Sequence, residues 1–198
     1  MTSFQHEVLA HTERYAGPIF TVFTDRVTMS DGRVAERDLV VNKGAVGVVA
    51  VDDVGRVVLI RQYRHPVAER LWELPAGLRD VPGENLVLAA ARELAEETDL
   101  RAARFDLLVD LHLSPGFSTE TIRLFLARDL SEVPPTERHE RTDEEAEIEI
   151  AWFDLDEAVA MALRGEVTNA AAVAGLLAAA RARADGWATL RPADTTAV

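Results

Sequence analysis

The sequence predicts an α+β protein, an α/β/α sandwich over residues 43–198 preceded by a small antiparallel β element over residues 1–42. Three observations carry that prediction. Short runs of β-branched and apolar residues, separated by turn residues such as Gly, Asp and Ser, recur along the chain as strands joined by turns require. One segment of helical period, near residues 85–97, stands among them. Two further helical stretches follow the last strand.

The elements follow in order. Residues 19–23 and 27–29 read as strands, Ser30-Asp31-Gly32-Arg33 as a turn and residues 37–41 as a returning strand. A hairpin of this size buries little alone and must pack on something else. From Ala45 the pattern changes. Residues 45–51 are continuously apolar, residues 52–55 turn, and residues 56–63 form a second strand, which together predict a buried hairpin. In the helix at 85–97, Leu86, Ala90 and Leu94 share one face. Residues 106–113 and 121–128 read as strands with Ser114-Pro115-Gly116 turning between them. The acidic stretch 131–147, with Pro134-Pro135, reads as an exposed loop. Residues 148–153 return as a strand, 154–164 and 168–184 as helices, and the last ten residues are expected to fray.

Composition narrows the function. At 198 residues the chain can bury one sizeable core. It has no cysteine, which excludes disulfides, thiolate metal sites and a cysteine nucleophile. The formal charge of −13 disfavours nucleic acid as a partner. A small polyphosphate could still bind, through a metal or a few arginines. No apolar stretch reaches the length of a membrane span and the N-terminus has no signal pattern, so no membrane partner and a cytoplasmic location are expected. The five histidines are scattered and form no ligand pattern.

The chemistry concentrates in residues 73–97. Glu93 and Glu97 are i,i+4 neighbours on a helix, with Glu96 on the adjoining row. Like charges at that spacing cost about 0.2–0.5 kcal/mol per pair. Hard divalent cations, which take oxygen ligands, would relieve it. Arg92 can pair with Glu96 and hold it. A solvated acidic helix face is the alternative reading. Context favours the first: Glu73-Leu74-Pro75-Ala76-Gly77 is a strand end and tight loop before the helix, and Glu84 is expected to open the helix at its positive dipole end.

This stretch resembles the Nudix box, G-x5-E-x7-REUxEExGU with U bulky and aliphatic. Gly77, Glu84, Arg92, Glu93, Leu94, Glu96, Glu97 and Leu100 match it by residue type. Two positions depart: six residues instead of five separate Gly77 from Glu84, and Asp99 stands where the box has its second glycine. Arg61-Gln62-Tyr63-Arg64 before the box and Ser114-Pro115-Gly116-Phe117 after it resemble the ADP-ribose pyrophosphatase branch of that family.

The resemblance implies a Nudix-type sandwich and Mg²⁺-dependent hydrolysis of the pyrophosphate of ADP-ribose to AMP and ribose 5-phosphate, with Mn²⁺ able to substitute. Glu93 and Glu97 would be the main metal ligands, with Glu84, Glu96 and the Ala76 carbonyl supporting them. Arg64 would contact the diphosphate, and Gly77, Gly116 and Glu73 join it as substrate-binding candidates. Arg92 and Glu96 are also counted with the catalytic group. A catalytic glutamate is expected in the loop at 141–147, where Glu145 aligns and Glu144 is its neighbour. The resemblance also implies a homodimer built through residues 1–42. Another nucleoside diphosphate sugar, a dinucleotide, or a non-catalytic ligand-binding role remain the alternatives.

Overall fold

The computed structural model describes residues 6–79, 83–142 and 146–196. They fall into two compact units, residues 1–44 with 112–121, and residues 45–111 with 122–198.

The first unit is a three-stranded antiparallel sheet, β1 (Val8–Ala16), β2 (Phe20–Thr28) and β3 (Val34–Asn42), in that order. Residues 8–16 escape the sequence reading because polar and apolar residues mix along the strand, and in the structure nearly all of it is exposed. Gly32, at φ 82°, makes the β2–β3 turn that residues 30–33 predict. The Ser-Pro-Gly-Phe segment belongs to this unit and not to the sheet that precedes it in sequence. The Val40 N–H donates to the Phe117 carbonyl at 2.8 Å, and the Thr119 N–H to the Val40 carbonyl at 2.9 Å. Thr24 is the only side chain buried among the unit's described residues.

The second unit holds two sheets and three helices. The larger sheet has the order β11-β8-β9-β4-β7, from β4 (Ala45–Ala50), β7 (Ala76–Leu78), β8 (Leu100–His112), β9 (Thr121–Glu132) and β11 (Arg191–Pro192). The smaller has the order β10-β5-β6, from β5 (Arg56–Arg64), β6 (Glu69–Glu73) and β10 (Glu149–Asp154). The helices are α1 (Leu86–Thr98), α2 (Leu155–Leu163) and α3 (Ala170–Ala184).

Strand β4 explains the layering. It runs parallel to β9 and antiparallel to β7, and it is covered on both faces. Val46, Val48 and Ala50 pack with Phe125, Ala127 and the Ala89, Ala90 and Leu94 side of α1. On the opposite face, Val49 and Leu124 meet α3 at Gly175, where a methyl group would press on both and on Leu74. A strand buried on both faces carries a continuous apolar run instead of an alternating one. Each fully buried leucine of this core contributes about 1.5–3 kcal/mol.

Three expectations are corrected. Residues 45–51 and 56–63 do not form a hairpin. They lie in different sheets and meet at the turn, through the Val51–Val57 bridge and the Asp52 N–H to Arg56 carbonyl bond. Each strand finds longer partners elsewhere, β4 in β9 and β5 in β6 and β10. The C-terminal segment does not fray through residue 195. β11 pairs with Leu107 and Asp106, and the buried Arg123 donates to the Thr195 carbonyl at 2.6 Å. Glu84 does not open α1. Asn85 is its N-cap, accepting from the Val87 N–H at 2.8 Å, because a short side-chain oxygen reaches that N–H best.

Candidate active site

Strand β7 and helix α1 build the site together. β7 ends the β4 edge of the larger sheet, with Gly77 opposite Val46 and Ala76 opposite Gly47. α1 lies against β4 and β7 with Leu94, Ala89 and Ala90 fully inside. Its 3.6-residue period then turns Glu93 and Glu97 towards β7. The Glu97 carboxylate accepts from the Ala76 N–H at 2.8 Å. A hydrogen bond to a charged acceptor is worth about 1.5–3 kcal/mol net. Gly77 has no positive φ to explain it. Its reason is close approach: a Cβ there would fall inside the Glu93 carboxylate. Gly77→Ala should therefore displace Glu93 and lower activity by about 10–100-fold, the range for supports of metal-ligating groups. Steady-state rates beside wild type check this, and an unchanged rate would mean that the Glu93 position is irrelevant.

Arg92 is the hub of the remaining carboxylates. Its Nη1 donates to Glu93 at 2.6 Å and to Glu96 at 3.1 Å, and its Nη2 reaches Glu84 at 3.2 Å. The Glu84 hydrogen bonds, then the charges of Glu93 and Glu96, hold the guanidinium above its ordinary pKa. Glu84, just outside the helix, is thus drawn back to its face.

Exposure bears on the solvated reading of this face. A solvated acidic face would leave its glutamates in water, yet Glu93 is 9% exposed and Glu97 5%. Burying carboxylates costs several kcal/mol each unless they are compensated. Arg92 compensates Glu93 and the Ala76 N–H compensates Glu97, so both acid groups are held inside the fold by specific partners.

In the smaller sheet, Arg64 and Glu73 form a second charged group. Arg64 Nε and Nη2 lie 2.9 and 2.6 Å from the two Glu73 oxygens, and Gln62 adds a bond at 3.3 Å. β5 is the central strand of this sheet, though its pairing with β10 stops at Arg61 and Arg64 pairs with Glu69 of β6. Gly116 lies in the first unit with open space about it. Glu144 and Glu145 lie outside the described residues.

Sequence pattern does not single out Arg141, whose Nε donates to the Glu96 carbonyl at 2.9 Å. An arginine in an acidic loop carries no local signal of a contact with a helix 45 residues away. Gln62, beside Glu73, stands in the Arg-Gln-Tyr-Arg motif, which by itself implies no role for it. A cleft of about 260 Å³ also flanks the helix, lined by Arg92, Ala95, Glu96, Arg101, Val133, Glu137 and His139.

Comparison with known proteins places this geometry in a family. Residues 41–175 match the family model of the NUDIX domain. The chain belongs to the Nudix family. It is 44% identical to the ADP-ribose pyrophosphatase of Mycobacterium tuberculosis, over 98% of this chain and 92% of that protein. It is 31% identical to the ADP-ribose pyrophosphatase of Bacillus subtilis, over 86% and 90%. A crystal structure of an ADP compounds hydrolase superposes with a TM-score of 0.80 at 23% identity, covering 94% of this chain and 99% of that one, and so shares the fold.

Nudix membership implies a divalent cation, and the donor set fits one. Around Arg92, one guanidinium faces Glu84, Glu93 and Glu96, with Glu97 beside them, so carboxylate charge exceeds cationic charge on this face. All are hard oxygen donors of the kind Mg²⁺ and its relatives prefer. Among the described residues no three His, Asp or Glu side chains already stand as a cage, and Arg92 is hydrogen-bonded to three of the glutamates.

Proposed function

We propose that this chain hydrolyses the pyrophosphate bond of ADP-ribose to AMP and ribose 5-phosphate with Mg²⁺, for which Mn²⁺ can substitute. The observation that carries the reading is the pair of buried glutamates, Glu93 and Glu97, set against Ala76 and Gly77 inside a Nudix box. Relatives named ADP-ribose pyrophosphatase, one of them alignable over nearly the whole chain, support the substrate.

Glu93, Glu97, Glu84, Glu96 and the Ala76 carbonyl would hold the cation. When bound, it neutralises diphosphate oxygens and acidifies water. Arg92 keeps three of these carboxylates gathered on one face, spacing them in place of mutual repulsion. Glu73 fixes the plane of Arg64, which then meets the diphosphate as an oriented fork instead of a swinging charge. Glu145, with Glu144 as its neighbour, is the proposed general base. It removes a proton from water as the water oxygen bonds to phosphorus and the bridging oxygen leaves with the other phosphate. No covalent enzyme intermediate forms.

The competing substrates differ in what lies beyond the diphosphate, so a panel separates them. ADP-ribose, a second nucleoside diphosphate sugar and a dinucleotide are compared at equal Mg²⁺. The highest kcat/KM is expected for ADP-ribose, and a higher value for either of the others would reassign the substrate.

We also propose a homodimer formed through the N-terminal unit. Val8, Leu9, Tyr15, Ile19, Phe20, Val34 and Phe117 are all exposed on this unit, an apolar set that a second copy could cover. Two-fold closure is the commonest assembly. Light scattering at micromolar concentration should return about twice 21.7 kDa. A monomer with full activity would exclude this role for the sheet.

A further inference from the structure

Helix α1 ends on a residue that departs from the Nudix box. Asp99 stands in place of the box glycine and takes the left-handed conformation, φ 57° and ψ 29°, that glycine adopts without strain. Its backbone is held on both sides: the N–H donates to the Ala95 carbonyl at 3.1 Å, and the carbonyl accepts from the Val133 N–H at 2.8 Å. Its carboxylate adds what glycine cannot. Asp99 Oδ2 lies 2.9 Å from Arg141 Nη2, and both side chains are largely buried. That contact pairs charges without an aligned N–H, since Nη2 has no hydrogen-bond partner among the described residues. The directional bond comes from the same guanidinium, whose Nε donates to the Glu96 carbonyl at 2.9 Å.

Together these contacts close the end of the helix. The Leu94 carbonyl accepts from the Thr98 hydroxyl, the Ala95 carbonyl from the Asp99 N–H, and the Glu96 carbonyl from Arg141. The last turn of α1 has no basic residue of its own. Arg141 brings in the positive charge that a helix C-terminus favours. That same turn carries Glu96 and Glu97.

We propose that Arg141 is a positioning residue for the cation-binding face of α1. Its bond to the Glu96 carbonyl and its pairing with Asp99 fix the last helical turn, and with it the directions of the Glu96 and Glu97 carboxylates. The inference rests on the cation site of the proposed function, not on the identity of the substrate. Asp99 is then an exchange and not a loss: the glycine's conformational ease is given up for an anchor.

The test is Mn²⁺ binding to the full chain, followed by the electron paramagnetic resonance of free Mn²⁺ in wild type, Arg141→Ala, Asp99→Gly and the double variant. Asp99→Gly keeps the fold safe, because glycine takes the left-handed turn freely. Each single variant should weaken Mn²⁺ binding by about tenfold. The double variant should be no weaker than Arg141→Ala, since both act through one contact. Arg141→Ala or Asp99→Gly binding Mn²⁺ as wild type does would overturn the proposal, as would a double variant whose loss is the product of the two. Should Arg141→Ala fail to fold, the Asp99→Gly result alone decides. If the wild type binds Mn²⁺ but leaves ADP-ribose intact, the substrate assignment fails and this inference is still read from binding. A wild type that binds no Mn²⁺ overturns both.

Discussion

Glu97→Gln should lower turnover by about 10²–10³-fold, the equivalent of losing several kcal/mol of charge stabilisation by the metal site. The substitution is chosen to spare the fold. Glu97 is buried and accepts from the Ala76 N–H at 2.8 Å. A glutamine keeps the volume and an oxygen in the same reach, so that bond can survive. What goes is one negative charge on a face where Glu93 and Glu97 are i,i+4 neighbours. Removing their repulsion returns about 0.2–0.5 kcal/mol to the helix. The melting temperature should therefore stay close to wild type while kcat collapses. Near-normal turnover in this variant would remove Glu97 from the metal set.

Glu145→Gln is expected to lower kcat by about 10²–10⁴-fold, the range for loss of a general base, with little change in KM. Glu145 lies outside the described residues, but the chain on either side of it is tethered. It enters from Arg141, bonded to the Glu96 carbonyl at the end of α1, and leaves at Glu147, whose carbonyl accepts from Arg70 of β6 at 2.7 Å. Both tethers attach to elements that carry the candidate site, α1 with its carboxylates and the sheet of Arg64 and Glu73. Glu144→Gln should be much milder, because successive loop residues generally point in different directions. Equal, small effects from the two substitutions would place the base elsewhere, with Glu120 or a box glutamate next to test.

How far the sequence reveals this protein depends on whether the relevant contact is local. α1 was legible to within a residue because its apolar period and its carboxylates lie on one short segment, although its cap is Asn85 and not Glu84. Strand pairing was not. The run 45–51 and the strand after it look like a hairpin, and nothing in either sequence announces that β4 pairs in parallel with β9 and joins another sheet. Strand β1 was lost because an exposed strand carries no clean alternation. In the site, spacing brought Glu93, Glu97 and Gly77 forward as candidates. It could not show that Gly77 is there to admit the Glu93 carboxylate, nor that Glu73 is turned to Arg64. Arg141 was invisible because its partners are distant in sequence.

The most direct test of the central claim is to follow ADP-ribose by ³¹P nuclear magnetic resonance with the wild-type protein and Mg²⁺. The diphosphate signals should give way to two monophosphate signals of equal intensity, AMP and ribose 5-phosphate. Excess EDTA should stop the reaction and added Mg²⁺ should restart it. Diphosphate signals that persist with Mg²⁺ present, or conversion that continues at full rate in EDTA, would contradict the assignment.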